Sequence, residues 1–247
     1  MTAGFDCSTP LTAQTTAAFK KDGMEFACRY LVPATSGWKA LTRAEAEIIS
    51  AAGLKIVSVF ETTADRALGG RAAGLADAAT ALQVAAQVGQ PEGSCIYFAV
   101  DFDATAAQMP TVIEYIKAAA EATPAYTTGV YGSKAVCEAV IAAGACSRVW
   151  QTYAWSKGQR YWNAQIYQYQ NGVTRNGIQV DLNESYGSEG WWSLAVEPPK
   201  PALAPEDANK VIELLGAVHE FVAGQEAKDE IHRLANALRK ASGQAEE

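Results

Sequence analysis

Five carboxylates stand at or just past the ends of short apolar runs: Asp6, Glu61, Asp101, Asp103 and Asp181. Carboxylates crowded into one site raise one another's pKa. One can then stay protonated near neutral pH and act as a general acid while a neighbour stays ionised. The run from Ile96 to Asp103 indicates how two of them converge. Residues i and i+2 of a strand share a face. Ile96, Phe98, Val100 and Phe102 form one wholly apolar face, and Tyr97, Ala99, Asp101 and Asp103 form the other. The spacing predicts both aspartates on the inner face of a barrel, at its C-terminal mouth. An aspartate at a strand end usually caps a turn or the next helix, but five carboxylates at four strand ends are harder to explain that way. Other candidate substrate contacts are Arg29, Tyr131, Gln151 and Gln168 at strand ends, Tyr97 as an aromatic able to stack, and Asn183 just past the last strand.

The elements that must position these residues alternate. Strands are expected at Ala3–Asp6, Phe26–Tyr30, Lys55–Phe60, Cys95–Val100 and Thr128–Tyr131, each followed by a helical pattern. Thr42, with Glu45 three residues on, reads as a capping box. Three further strands, Arg148–Gln151, Ala164–Tyr169 and Gly177–Leu182, follow with little helix between them. Strand–helix alternation points to a parallel sheet. About eight strands in this length fit an α/β, TIM-like (β/α) barrel with abbreviated late helices. An open doubly wound sheet is the structural alternative, but Cys7-Ser8-Thr9-Pro10 is not a glycine-rich phosphate loop. Trp191 and Trp192 are expected to close the bottom or side of the barrel. The barrel spans residues 1–195, a proline-rich linker 196–204, and a helical hairpin 205–243. In the hairpin, Val211, Leu214, Leu215, Val218 and Val222 form one apolar stripe and Ile231, Leu234 and Leu238 another.

Composition narrows the chemistry. The net charge is −7 over 247 residues, with no lysine or arginine cluster, so no nucleic-acid partner is expected. No apolar run reaches the ~20 residues of a membrane span. The first residues lack the basic and apolar segments of a signal peptide, so a cytoplasmic protein is expected before any release. The five cysteines are odd in number and have no CxxC spacing, which suits buried free thiols. Both histidines, His219 and His232, lie in the tail. The barrel therefore has no Ser-His-Asp or Cys-His site and lacks the commonest zinc ligand. No metal or cofactor is expected, and the acid–base chemistry falls to carboxylates.

Gly4-Phe5-Asp6, Phe60-Glu61, Ala99-Val100-Asp101-Phe102-Asp103, Gly129-Val130-Tyr131-Gly132-Ser133, Trp150-Gln151 and Val180-Asp181-Leu182-Asn183 together resemble a bacterial glycoside-hydrolase-like domain, long catalogued as a domain of unknown function. That domain is similar to the family-25 lysozymes, N-acetylmuramidases with a (β/α)5β3 barrel. The resemblance covers residues 3 to 193. It implies catalytic roles for Asp6, Asp101, Asp103 and Asp181, with Asp103 as general acid and Asp101 orienting or charge-stabilising the substrate. The sequence departs from the lysozyme pattern at Asp103, where the lysozymes have Glu. The shorter side chain draws the carboxyl back by ~1 Å, a displacement that matters for rate, and Glu61 is the group placed to compensate. The tail, Asp207 to Asn236, resembles a short helical module of phage lysins.

The expected function is hydrolysis of the glycan strand of bacterial peptidoglycan, by a phage or prophage lysin acting on the cell wall. The alternative is a non-catalytic barrel that binds cell-wall carbohydrate. A homodimer through the C-terminal helices would finish burying the apolar stripes.

Overall fold

The computed structural model describes residues 1–194 and 203–246. Most of the expected linker, 196–204, lies outside them. The chain divides into two compact units, Met1–Val196 and Glu197–Glu247.

The first unit is a closed barrel whose eight strands follow one another in chain order. Five βα units come first: β1 (Thr2–Asp6) and α1 (Ala13–Lys21), β2 (Phe26–Tyr30) and α2 (Arg43–Ala51), β3 (Lys55–Phe60) and α3 (Gly70–Val88), β4 (Cys95–Ala99) and α4 (Met109–Ala122), β5 (Thr127–Gly132) and α5 (Lys134–Ala142). Then β6 (Arg148–Thr152), β7 (Ile166–Arg175) and β8 (Ile178–Ser185) close the barrel without intervening α-helices. Strands β1 to β7 are parallel, and β8 runs antiparallel to both β7 and β1. The alternation of strands and helices pointed to a parallel sheet, so the last strand is a departure. Asn176 and Gly177, with φ of 50° and 81°, make a tight turn between β7 and β8. Asn-Gly favours such hairpins, and a hairpin reverses direction where a helical crossover would keep it.

Strand alternation sorts the side chains into two layers. Phe26, Cys28, Val57, Val59, Cys95, Tyr97, Ala99, Trp150 and Ile166 pack inside the barrel. Ile96, Phe98 and Val100 face outward into the helix layer, with Val112, Tyr115 and Ile116 of α4. Large and small residues alternate inside: a Cβ at Gly129 would run into the Tyr97 ring. Trp191 packs against the inner cluster and Trp192 joins the outer one, at the bottom and side of the barrel. Trp192 pairs through its backbone with Ile56 and donates its indole N–H to Ser58 Oγ at 2.9 Å. The Trp191 ring lies 5.9 Å from that of Phe26.

Thr42 caps α2, accepting from the Glu45 N–H. The other half of the expected capping box is absent. The Glu45 carboxylate is buried and instead accepts from Arg29 Nε at 2.7 Å and from the Leu11 N–H at 2.8 Å. A buried guanidinium outcompetes a backbone N–H for it.

The second unit is a hairpin of α6 (Pro205–Phe221) and α7 (Gln225–Ala241). Ile212, Leu215 and His219 share the space between the helices with Ile231 and Ala235. The stripe expected from sequence therefore divides. Leu215 and Val222 are half-buried, whereas Val211, Leu214 and Val218 lie exposed on the neighbouring line together with Phe221. Both lines satisfy the 3.6-residue period, so docking of the helices chooses between them.

Candidate active site

A cavity of about 140 Å³ opens at the C-terminal ends of the strands, lined by Asp6, Tyr30, Val59, Glu61, Asp101, Tyr131, Trp150, Gln168, Asn171 and Asp181. Four of the five expected carboxylates meet here. Asp6 and Asp181 are direct partners across the β1–β8 ladder. Glu61 follows the last residue of β3, and Asp101 lies two residues beyond β4. The strand residues lining the cavity sit at inward-facing positions, apart from Asn171, which follows a register shift in β7, so alternation explains both the apolar barrel interior and most of its polar mouth.

One amide organises the centre. Gln168 Oε1 accepts from Tyr131 Oη at 3.0 Å and from Thr152 Oγ1 at 2.7 Å. This fixes the amide orientation, so its Nε2 donates to Asp6 Oδ2 at 2.8 Å and to Asp181 Oδ2 at 3.4 Å. Asn183 does the same from β8. Its Oδ1 accepts from Trp150 Nε1 at 2.8 Å, and its Nδ2 donates to Asp6 Oδ2 at 2.7 Å. Both bonds to Asp6 therefore fall on Oδ2, and neither amide engages Oδ1. Asp181 Oδ1 accepts from the Gly172 N–H at 2.7 Å.

Burial pushes the Asp6 carboxyl up from 3.8 to about 7. The Asp181 charge adds to this, the amides of Asn183 and Gln168 oppose it, and Glu61 contributes a smaller push upward. Burial also raises Glu61, against the pull of Lys39 and with a push from Asp101. Asp101 is raised by burial and by Asp181, with Lys39 opposing. Asp181 is raised by burial, with the Gly172 N–H opposing. The largest shift belongs to Asp6, the most enclosed of the four.

Several expected residues lie elsewhere. Asp103 is exposed and lines a separate concavity with Thr105, Lys134 and Trp155. Strand β4 ends at Ala99, and the two-residue alternation does not extend through the loop to position 103. Arg29 points out of the barrel. It is fully buried, paired with Glu45, and donates to the Cys7 carbonyl. Gln151 also faces outward, donating to the Gln159 carbonyl at 2.9 Å and accepting from the Tyr161 N–H at 2.7 Å. Both are the penultimate residues of their strands and have the outward parity. Tyr97 is inside the barrel but too deep for the mouth, with its hydroxyl donating to the Glu189 carbonyl at 2.9 Å. Asn183 holds Asp6 from below the cavity, whereas Tyr131 and Gln168 line it.

Sequence reasoning missed Tyr30, Asn171 and Lys39. Tyr30 shares the inward parity of Phe26 and Cys28, which was the available signal. Lys39 carries its ammonium 3.4 Å from Glu61 Oε1 and 4.8 Å from the centre of the Tyr30 ring. It comes from an irregular segment after β2, where no periodicity could place it. Among the described residues, no group of three or more His, Cys, Asp or Glu is arranged to hold a metal ion.

A closed (β/α)5β3 barrel with carboxylates gathered at its mouth defines a protein of the glycoside-hydrolase-like class. A family model agrees and is more specific: residues 17–185 match the Rv2525c-like, glycoside hydrolase-like domain, and the chain belongs to that family. Among solved structures, the Tat-secreted protein Rv2525c of Mycobacterium tuberculosis, in complex with L-tartrate, is 25% identical. The match has a TM-score of 0.68 and covers 78% of this chain and 99% of that one. The bacterial lysozyme of Streptomyces coelicolor shares the fold at 16% identity, with a TM-score of 0.51 over 76% of this chain and 93% of that one. The uncharacterized protein YbfG of Bacillus subtilis (strain 168) is 32% identical over 155 residues. The alignment covers 56% of this chain and 21% of YbfG, so the chain spans about a fifth of that relative's length.

Proposed function

We propose that the barrel hydrolyses the glycan strand of bacterial peptidoglycan, with Asp6 as the proton-holding group. One observation carries this reading: four carboxylates surround one small cavity, and one of them is held protonated up to about pH 7. A general acid works best with a pKa near the working pH. With two amide N–H groups on Oδ2, the Asp6 proton belongs on Oδ1, where it can pass to a glycosidic oxygen. Asp101, Glu61 and Asp181, raised less, supply negative charge for the oxocarbenium-like centre that forms as the bond breaks. Lys39 holds Glu61 in place and limits the mutual repulsion.

The test is reducing-end release from purified peptidoglycan. Asp6→Asn keeps a carbonyl oxygen for Asn183 and Gln168 but cannot give a proton, so activity should fall by about a hundredfold or more. Wild-type activity should decline as pH rises past about 7. If Asp103→Asn abolishes release and Asp6→Asn does not, the acid is Asp103.

A second reading is a barrel that binds wall carbohydrate without cutting it. The observation favouring it is the position of Asp103, the residue implied as general acid, outside the carboxylate cavity. Glycan binding without reducing-end release would establish that reading. For the chain as a whole we propose the setting of a phage or prophage lysin, made in the cytoplasm and acting on the wall after release, with the hairpin as a self-association element. The resemblance of the tail to lysin modules and the exposed line on α6 support this.

A further inference from the structure

The chain at the C-terminal ends of β4, β5 and β6 serves two places. Asp101, Tyr131 and Trp150 line the carboxylate cavity, while Asp103, Lys134 and Trp155, two to five residues further along the chain, line a separate concavity of about 500 Å³. Neighbouring strands carry neighbouring loops, so the second concavity lies beside the first, outward on the β4–β6 side. Its size is that of a small-molecule site.

The rim of this concavity is built rigidly around an indole. Trp155 is 39% exposed and belongs to neither core layer. It and Lys157 have φ of 53° and 52°, a region that side chains with a Cβ seldom occupy. Between them, Ser156 is buried. Its hydroxyl donates to the Thr152 carbonyl at 2.7 Å and accepts from the Lys134 N–H at 2.9 Å, tying the loop to the start of α5. The backbone thus keeps two unfavourable residues in place to hold an aromatic face at the surface, where core packing does not need it. The charges beside it balance: Asp103 and Glu138 against Lys134 and Lys157, with Lys134 paired to Glu138 at 2.7 Å. Balanced charge disfavours a phosphate or other strong anion. An aromatic plane flanked by donors and acceptors suits a neutral pyranose, whose C–H face stacks while its hydroxyls are hydrogen-bonded.

We propose that this concavity is a second saccharide subsite, taking a neutral N-acetylhexosamine unit of the same strand that the carboxylate cavity engages, with Trp155 as its stacking platform. The proposal rests on reading the carboxylate cavity as a glycan site. It predicts that longer oligomers bind more tightly than short ones because they reach Trp155. Calorimetry on the full chain with N-acetylglucosamine oligomers of two and of six units tests this. The six-unit oligomer should bind about tenfold more tightly than the two-unit one. Trp155→Gly, which suits the left-handed backbone, should abolish that preference, while Trp155→Phe, which keeps a ring, should retain most of it. Unchanged affinity for the two-unit oligomer in Trp155→Gly shows that the barrel is intact. If Trp155→Gly keeps the preference, or if wild type has none, the subsite is wrong and the reading of the carboxylate cavity stands. If neither oligomer binds wild type, both fail.

Discussion

Asp6 illustrates how a single buried carboxyl links chemistry to stability. Its pKa rises from 3.8 to about 7 because the folded barrel withdraws it from water. Between those values the native state keeps a proton that the unfolded chain has released. Stability therefore falls as pH rises through this window and levels off above about 7, a loss of about 4 kcal/mol if Asp6 acts alone. Asp6→Asn removes the charge that becomes unfavourable. We expect the variant to melt above wild type at pH 8 and to lose that advantage near pH 4, as read by thermal unfolding at both values. The variant predicted to lose activity is thus predicted to gain stability, a combination that a merely misfolded mutant would not show. Gln168 explains why the arrangement is specific. With Tyr131 and Thr152 donating to its oxygen, its nitrogen must face the two aspartates.

At the scale of elements, the β2–α2 contact rests on a buried ion pair. Arg29 and Glu45 are both almost wholly enclosed, and they tie β2 to α2 and to the N–H of Leu11 ahead of α1. Removing one partner leaves an uncompensated charge in the helix layer, at a cost of about 3–5 kcal/mol, whereas replacing both by apolar residues of similar size is often close to neutral. Arg29→Met should therefore lower the denaturant midpoint sharply, and Arg29→Met with Glu45→Leu should recover most of the loss. A substrate-contacting arginine would behave differently: both variants would lose binding, and stability would change little.

At the scale of the whole molecule, the hairpin leaves Leu214, Val218 and Phe221 exposed, the last at 90%. They recur on one line of α6, in a unit with little apolar surface buried between its two helices. Self-association through this line would cover it. Light scattering on the full chain should then give a dimer, and a truncation after Leu194 should give a monomer. Leu214→Lys with Phe221→Lys should return the full chain to a monomer. A monomeric full chain would rule the dimer out.

Periodicity made much of this legible in the amino-acid sequence. Two-residue alternation placed Ile96, Phe98 and Val100 against the helices, and their strand-end positions marked Asp6 and Asp181 for the barrel mouth. The strand–helix rhythm showed where the helices would stop appearing after β5. These are local properties, since a strand's two faces are written in its own residues. Tertiary structure decided what no local rule reaches. Once β4 ended at Ala99, loop geometry turned Asp101 inward and sent Asp103 to a neighbouring concavity. Arg29 and Gln151 were judged by their position near strand ends; their outward parity was written in the strands, but the partners that claim them, Glu45 and the 159–161 segment, come only with the tertiary fold. Lys39 reached Glu61 from a segment with no period at all. The identity of the most strongly shifted acid was also a tertiary outcome. It depends on which carboxyl is deepest and which charges surround it, and those distances exist only after eight strands have closed.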